Sequence, residues 1–142
     1  MQLSTKARYA ARAMVELALQ YGQGPVKLKS IAEKQDISLK YLEQVMTPLR
    51  ISGYVKTQKG SQGGYIMAKS PELINLFEVV SCVEGSLSLV DCLDDPGLCE
   101  RVDLCATRGA WATVKEAIYR ELSNITLAEL AEKQSIIYSA SR

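Results

Sequence analysis

A mainly α chain is the fold class this sequence predicts: a winged helix-turn-helix of three helices plus a two-stranded β-wing, followed by a long C-terminal dimerisation helix. Three observations lead there. Apolar residues recur at the helical period in three consecutive stretches of the first half; a basic, glycine-rich hairpin follows them; and a long amphipathic stretch lies beyond a polar loop that holds cysteines. The expected units are residues 1–70 for the winged helix-turn-helix, 71–100 for a short helix and the cysteine-bearing loop, and 101–142 for the dimerisation helix and a short C-terminal helix.

Ala7, Ala10, Ala11, Met14, Leu17 and Ala18 form one face of a first helix over Ser4 to Gln20, which leaves Lys6, Arg8, Arg12 and Glu16 on the other side. Ser4 is its cap, and Gly22, Gly24 and Pro25 stop it. A second helix follows at about Leu28 to Gln35. Ser38 caps a third, with Leu39, Leu42, Val45, Met46 and Leu49 along its stripe and Lys40, Tyr41, Glu43, Gln44 and Arg50 around its rim. Pro48 kinks this helix or marks its last turn, because proline removes one donor and crowds the carbonyl four residues back. Tyr54 to Gln58 and Tyr65 to Lys69 alternate on either side of Lys59-Gly60-Ser61-Gln62-Gly63-Gly64, a hairpin made basic by Lys56, Lys59 and Lys69.

Asn75 and Glu78 form a capping box that opens a short apolar helix to Val83. Residues 85–99 are a loop rich in Asp, Pro and Gly, with little to bury. A long helix is expected from about Val102 to Leu122, its stripe running through Leu104, Ala110 or Trp111, Val114, Ala117 or Ile118, and Leu122. This stripe is covered either by a second copy of the chain or by packing back on Met14 and Leu17. Thr126 and Glu129 then read as a capping box for a final short helix with a frayed, Ser-rich end.

At 142 residues, 47% hydrophobic and 23% charged, the composition is that of a folded soluble chain. No stretch reaches the roughly 18 apolar residues of a membrane span, and the opening residues lack the basic-then-apolar pattern of a secretion signal, so a cytoplasmic protein is expected. The net charge of +1 hides a split: residues 1–69 carry eleven Lys and Arg against four Asp and Glu, and the remainder carry six against twelve. That asymmetry points to a polyanion bound by the N-terminal half. Histidine is absent, and so are the serine-hydrolase elbow, the phosphate-cradling glycine loops and the zinc-protease helix, which argues against an enzyme.

In a winged helix-turn-helix the second helix of the pair enters the major groove, so Ser38, Lys40, Tyr41, Glu43 and Gln44 are the candidate readers of double-stranded DNA. Lys56 and Lys59 bring the wing to the backbone or the minor groove, and Lys6, Arg8 and Tyr9 are candidate phosphate contacts. Among the cysteines, Cys82 lies among valines and reads as a structural thiol. Cys92, Cys99 and Cys105 fall within fourteen residues, a spacing open to a metal or iron–sulfur cluster and equally to free or redox-active thiols.

Leu3 to Ala10, Ile37 to Gln44, Lys59 to Tyr65 and Ser123 to Leu130 together resemble the Rrf2 family of bacterial transcription regulators, and the resemblance covers nearly the whole chain. It implies a homodimer built on the long helix, here through Trp111, Val114, Ile118 and Leu122, and an operator with inverted-repeat symmetry. In many members three loop cysteines hold a cluster, which falls here on Cys92, Cys99 and Cys105. Two positions depart from cluster-binding members: Arg108 stands where some have a histidine ligand, and Arg8 where others have an acidic one. The gap between the first two cysteines is also one residue longer. A 4Fe–4S cluster with an unassigned fourth ligand therefore suits the chain better than a 2Fe–2S cluster, with Asp91, Asp94, Asp95, Asp103 or solvent as candidates. The alternative is a cluster-free regulator that responds to thiol redox state, a small molecule or a protein partner.

Overall fold

The structure, a computed structural model, describes residues 2–142. Its elements in chain order are α1 (Thr5–Leu19), α2 (Leu28–Gln35), α3 (Leu39–Ile51), β1 (Val55–Gln58), β2 (Gly64–Met67), α4 (Leu76–Glu84), α5 (Ala106–Ser123) and α6 (Leu127–Ala140), with single 3-10 turns at Pro71–Leu73, Asp91–Leu93, Pro96–Leu98 and Val102–Leu104. This is the mainly helical winged helix-turn-helix read from the sequence.

Capping explains most of the helix starts. Ser4 Oγ accepts from the Ala7 amide at 3.0 Å and Ser38 Oγ from the Tyr41 amide at 3.1 Å, each satisfying a backbone donor that the helix itself leaves open. Asn75 and Glu78 form the full reciprocal box. At Thr126 only half of the expected box forms: its hydroxyl accepts from the Glu129 amide, while the Glu129 carboxylate binds Lys133 at 2.9 Å. Pro48 is accommodated inside α3, whose hydrogen-bonding runs on to Ile51. Asp36, at φ +54, makes the left-handed turn between α2 and α3, a conformation that aspartate tolerates better than most residues.

The core is assembled around α1. Ala7, Ala10, Ala13 and Met14 are fully buried, together with Leu42, Val45, Met46 and Leu49 from α3, Val79 from α4 and Leu127 from α6. Val55 pairs with Met67, and Val26 bridges to Tyr65, which fastens the wing to the segment entering α2. The second wing strand is Gly64–Met67 rather than Tyr65 to Lys69, because Gly64 pairs with Gln58 and the chain turns away after Ala68 to reach Pro71.

Three further expectations are corrected. Glu16 is buried rather than on the solvent side, because α6 packs over that face of α1. The final helix is not short, since α6 stays helical through Ala140, held by Leu127, Ala131 and the Tyr138 hydroxyl. The long helix begins at Ala106 and not at Val102: Val102–Leu104 is a 3-10 turn, Cys105 is extended, and Leu104 is exposed outside the stripe.

No side chain of α5 is buried. It rests on α4 through an edge-on contact between Phe77 and Tyr119, with ring centroids 4.7 Å apart, and on the Asp91–Leu93 turn. Because the Asn75 box satisfies two backbone donors at a site that also bridges to Thr126, Asn75→Ala is expected to cost about 1 kcal/mol, measurable as a lower midpoint in urea unfolding.

Candidate nucleic-acid interface and cysteine loop

The face of α3 opposite its buried stripe carries Lys40, Glu43 and Gln44, all exposed at the start of the helix, where a groove-entering helix meets base edges. Ser38 spends one lone pair on its cap, which leaves its hydroxyl proton free to donate. Tyr41 is half-buried and meets Tyr9 of α1 edge-on, with ring centroids 5.7 Å apart. Its ring therefore packs first, and its position depends on α1. Leu39, which the sequence period assigns to the apolar stripe, is instead exposed on the first turn of α3, ahead of the buried residues that begin at Leu42; an apolar residue there can meet a thymine methyl.

Lys56 and Lys59 are exposed on the wing, whereas Lys69 lies 5.8 Å from the centre of the Tyr54 ring. The wing tip is held by Lys27, whose Nζ donates to the Ser61 carbonyl at 2.8 Å, a residue that composition did not single out. Gly64 is required by close approach: a Cβ there would lie 2.4 Å from the Val26 carbonyl oxygen. At the start of α1, Arg8 is exposed and donates to Thr5 Oγ1, Tyr9 and Lys6 are half-buried, and the Ser4 amide donates to Glu84 Oε1 at 2.7 Å.

The three loop cysteines occupy consecutive tight turns. Cys92 lies within the Asp91–Leu93 turn, Cys99 ends the Pro96–Leu98 turn, and Cys105 follows the Val102–Leu104 turn at the mouth of α5. All four cysteines are free thiols and half-buried. Among the described residues, no three His, Cys, Asp or Glu side chains converge on a common metal position. The donor type fits an iron–sulfur cluster, three soft thiols with no competing disulfide, and the arrangement does not gather them around one point.

Arg108 reaches from α5 to the Cys92 carbonyl at 3.2 Å, and its Nε is buried with no hydrogen-bond partner among the described residues. Asp94 accepts from Ser86 Oγ at 2.5 Å, Ser88 Oγ at 2.7 Å and Lys115 Nζ at 3.1 Å, and these bonds hold its carboxyl down to about 2. Asp94 is thus occupied as a clasp between the loop and α5, and Asp95 accepts from the Gly97 amide. Asp91 and Asp103 are exposed. The Cys105 thiol is held below its ordinary range by the Thr107 hydroxyl and then by the Arg108 and Thr107 amides. Cys82 is half-buried and donates to the Pro48 carbonyl, consistent with its structural reading.

Trp111 and Val114 are exposed on α5, and Ile118 and Leu122 on the same face are half-buried. The last three border an open groove of about 810 Å³ that Leu3 and Leu89 also line. The expected alternative, packing of this stripe on Met14 and Leu17, is not what the structure adopts, because α5 meets α4 and the cysteine loop instead.

A winged-helix transcription regulator is the class that this fold and the exposed polar face of α3 point to. The chain belongs to the Rrf2 family, whose model, described as an iron-dependent transcriptional regulator, matches residues 3–133. It is 40% identical over 142 residues to the HTH-type transcriptional regulator IscR of Erwinia tasmaniensis, covering 100% of this chain and 86% of that one. Among solved structures it is similar to CymR (YrzC), the global cysteine regulator of B. subtilis, at a TM-score of 0.79 with 38% identity over 94% of this chain and 98% of that one. It is also similar to T. potens IscR, at a TM-score of 0.77 with 39% identity over 94% and 88% of the two chains. The protein is a DNA-binding regulator and not an enzyme. No helix among the described residues is long and apolar enough to cross a membrane.

Gln44→Ala is expected to weaken binding by about 1–3 kcal/mol at a cognate sequence while sparing other duplexes, and Lys59→Ala to weaken all duplexes alike and lower the salt slope by about one, both read by fluorescence anisotropy across salt. The depressed Asp94 carboxyl contributes to loop order above its ordinary value of 3.8, and that contribution fades as pH falls toward about 2. Carbon-detected NMR titration should place the Asp94 midpoint near the lower value, and Lys115→Met and Ser88→Ala should each move it up.

Proposed function

We propose that this chain is a homodimeric bacterial transcription regulator that binds an inverted-repeat DNA operator and whose affinity is set by an iron–sulfur cluster on Cys92, Cys99 and Cys105. Residues 1–70 are its DNA-binding unit. Ser38, Lys40, Glu43 and Gln44 read base edges, Tyr41 aligns the helix through Tyr9, and Lys6, Arg8, Lys56 and Lys59 neutralise phosphates. Two-fold symmetry places the half-sites about one helical turn (~34 Å) or a multiple apart. Such a regulator works in the cytoplasm, where its DNA is.

The observation that carries the sensing role is the position of the three thiols, on consecutive turns that open directly into α5. Trp111, Val114, Ile118 and Leu122 form the dimer face of that helix. A bound 4Fe–4S cluster would supply a redox-sensitive crosslink among the three turns, with its fourth iron open to solvent or an exposed Asp. The chain's own part is to connect that loop to both ends of the molecule. Lys115 and Arg108 tie it to α5, and Glu84 at its start holds the Ser4 amide, next to the phosphate-contact residues of α1.

A second reading keeps the DNA binding and makes the cysteines act as thiols. The thiols that do not converge and the guanidinium of Arg108 at the expected histidine position favour it, as does the likeness to a cysteine regulator. Anaerobic purification, an ultraviolet-visible spectrum and assays of iron and acid-labile sulfide separate the two. The cluster reading expects visible absorbance with about four irons per subunit, lost in Cys99→Ser. A colourless protein that resists reconstitution yet binds DNA would overturn it in favour of thiol chemistry.

A further inference from the structure

A polar cluster built on one buried carboxylate joins the last helix to the helix-turn-helix. Its centre is Glu16 of α1, a buried carboxylate that accepts from the Tyr138 hydroxyl of α6 and from Gln35 Nε2 of α2, and that pairs with Lys34 Nζ at 3.1 Å. Tyr138 also accepts from Gln35 Nε2 at 3.0 Å, lies 4.4 Å beneath the Lys34 ammonium, and has its hydroxyl pushed up to about 12 by burial and by the Glu16 carboxylate. Gln35 passes the contact on. Its Oε1 accepts from Arg12 Nε at 2.8 Å and its backbone carbonyl accepts from Arg12 Nη2. The Arg12 guanidinium lies 5.1 Å from the centre of the Tyr9 ring, and Tyr9 meets Tyr41 of α3 edge-on.

Gln35 is the last residue of α2, and the left-handed turn at Asp36 leads from it directly into α3. A buried charge is a poor source of net stability, because the desolvation of the carboxylate offsets much of what its partners return. Its bonds are directional, however, and such a network restricts how the helices that share it can rotate against one another. We infer that Tyr138 is a positioning residue for DNA recognition: through Glu16, Gln35, Arg12 and Tyr9, the C-terminal helix holds α2 and the reading helix α3 at the angle that base contacts require. The inference rests on α3 being the reading helix.

The test uses the whole 142-residue chain and two duplexes: one selected from a random pool by the unsubstituted protein, and a scrambled duplex of the same composition. Tyr138→Phe removes only the hydroxyl, and Gln35→Ala breaks the path at its middle should the first variant fold poorly. Each is expected to weaken the selected duplex by about two- to tenfold, the worth of one hydrogen bond, and to leave the scrambled duplex and the salt slope unchanged, since no phosphate contact is lost. Equal loss on both duplexes in step with the folded fraction by circular dichroism would overturn positioning in favour of plain stability. Unchanged affinity for the selected duplex would overturn it too. Gln44→Ala, run alongside, tells the failures apart: if it discriminates and Tyr138→Phe does not, positioning alone falls, and if neither discriminates, the reading role of α3 falls with it.

Discussion

The close approach of helices to α1 is the constraint on which the rest of the structure depends. Ala7, Ala10 and Ala13 are fully buried and present almost no side chain, so α3, α4 and α6 can pack near the backbone while Met14 and Leu17 fill the spaces between them. Larger residues there would push three helices outward at once, because a close-packed interior has no slack for added methylenes. The same crowding explains why Glu16 is buried at all: it lies under α6, on a face that the sequence pattern assigns to solvent.

Much of this was legible from local chemistry. Ser4, Ser38 and Asn75 announce their helices because capping is decided within four residues, and two alternating runs around a glycine-rich turn announce the hairpin, though not the register that sets Val55 against Met67. What the sequence hid was decided by distant contact. Ser135, Ile136, Ile137 and Ser139 argue locally for a weak helix end, but Tyr138 reaches 122 residues back to Glu16 and holds it. Val102 and Leu104 fit the period of the following helix, yet their segment closes as a tighter turn with Cys105 extended behind it.

The candidate site divides in the same way. Lys40, Glu43 and Gln44 were readable because exposure on a capped amphipathic helix follows from its period. Lys27 and Arg12 were not, because their roles depend on what lies across a turn or on another helix, and Leu39 was hidden by a period that puts it on the buried stripe. Whether three thiols share a point in space is likewise a property of the turns between them and not of their spacing. The loop is organised by polar clasps rather than by a core: Asp94 draws in Ser86, Ser88 and Lys115, and Arg108 holds the Cys92 carbonyl. Elements held by exposed hydrogen bonds open at lower free energy than those held by buried apolar area, a property suited to a sensing segment.

A helix of 18 residues with no buried side chain and a glycine at position 109 has little to hold it in dilute solution beyond its contacts with Phe77 and the loop clasps. In the dimeric reading, the second copy supplies the missing burial, and order in α5 becomes a function of how much protein is present. The cysteine turns feed straight into that helix, so they inherit the same dependence. Mass action would then divide one chain: the winged half closes its own core around α1 without a partner, while the cysteine-bearing half takes on its final form only where enough protein has accumulated to pair.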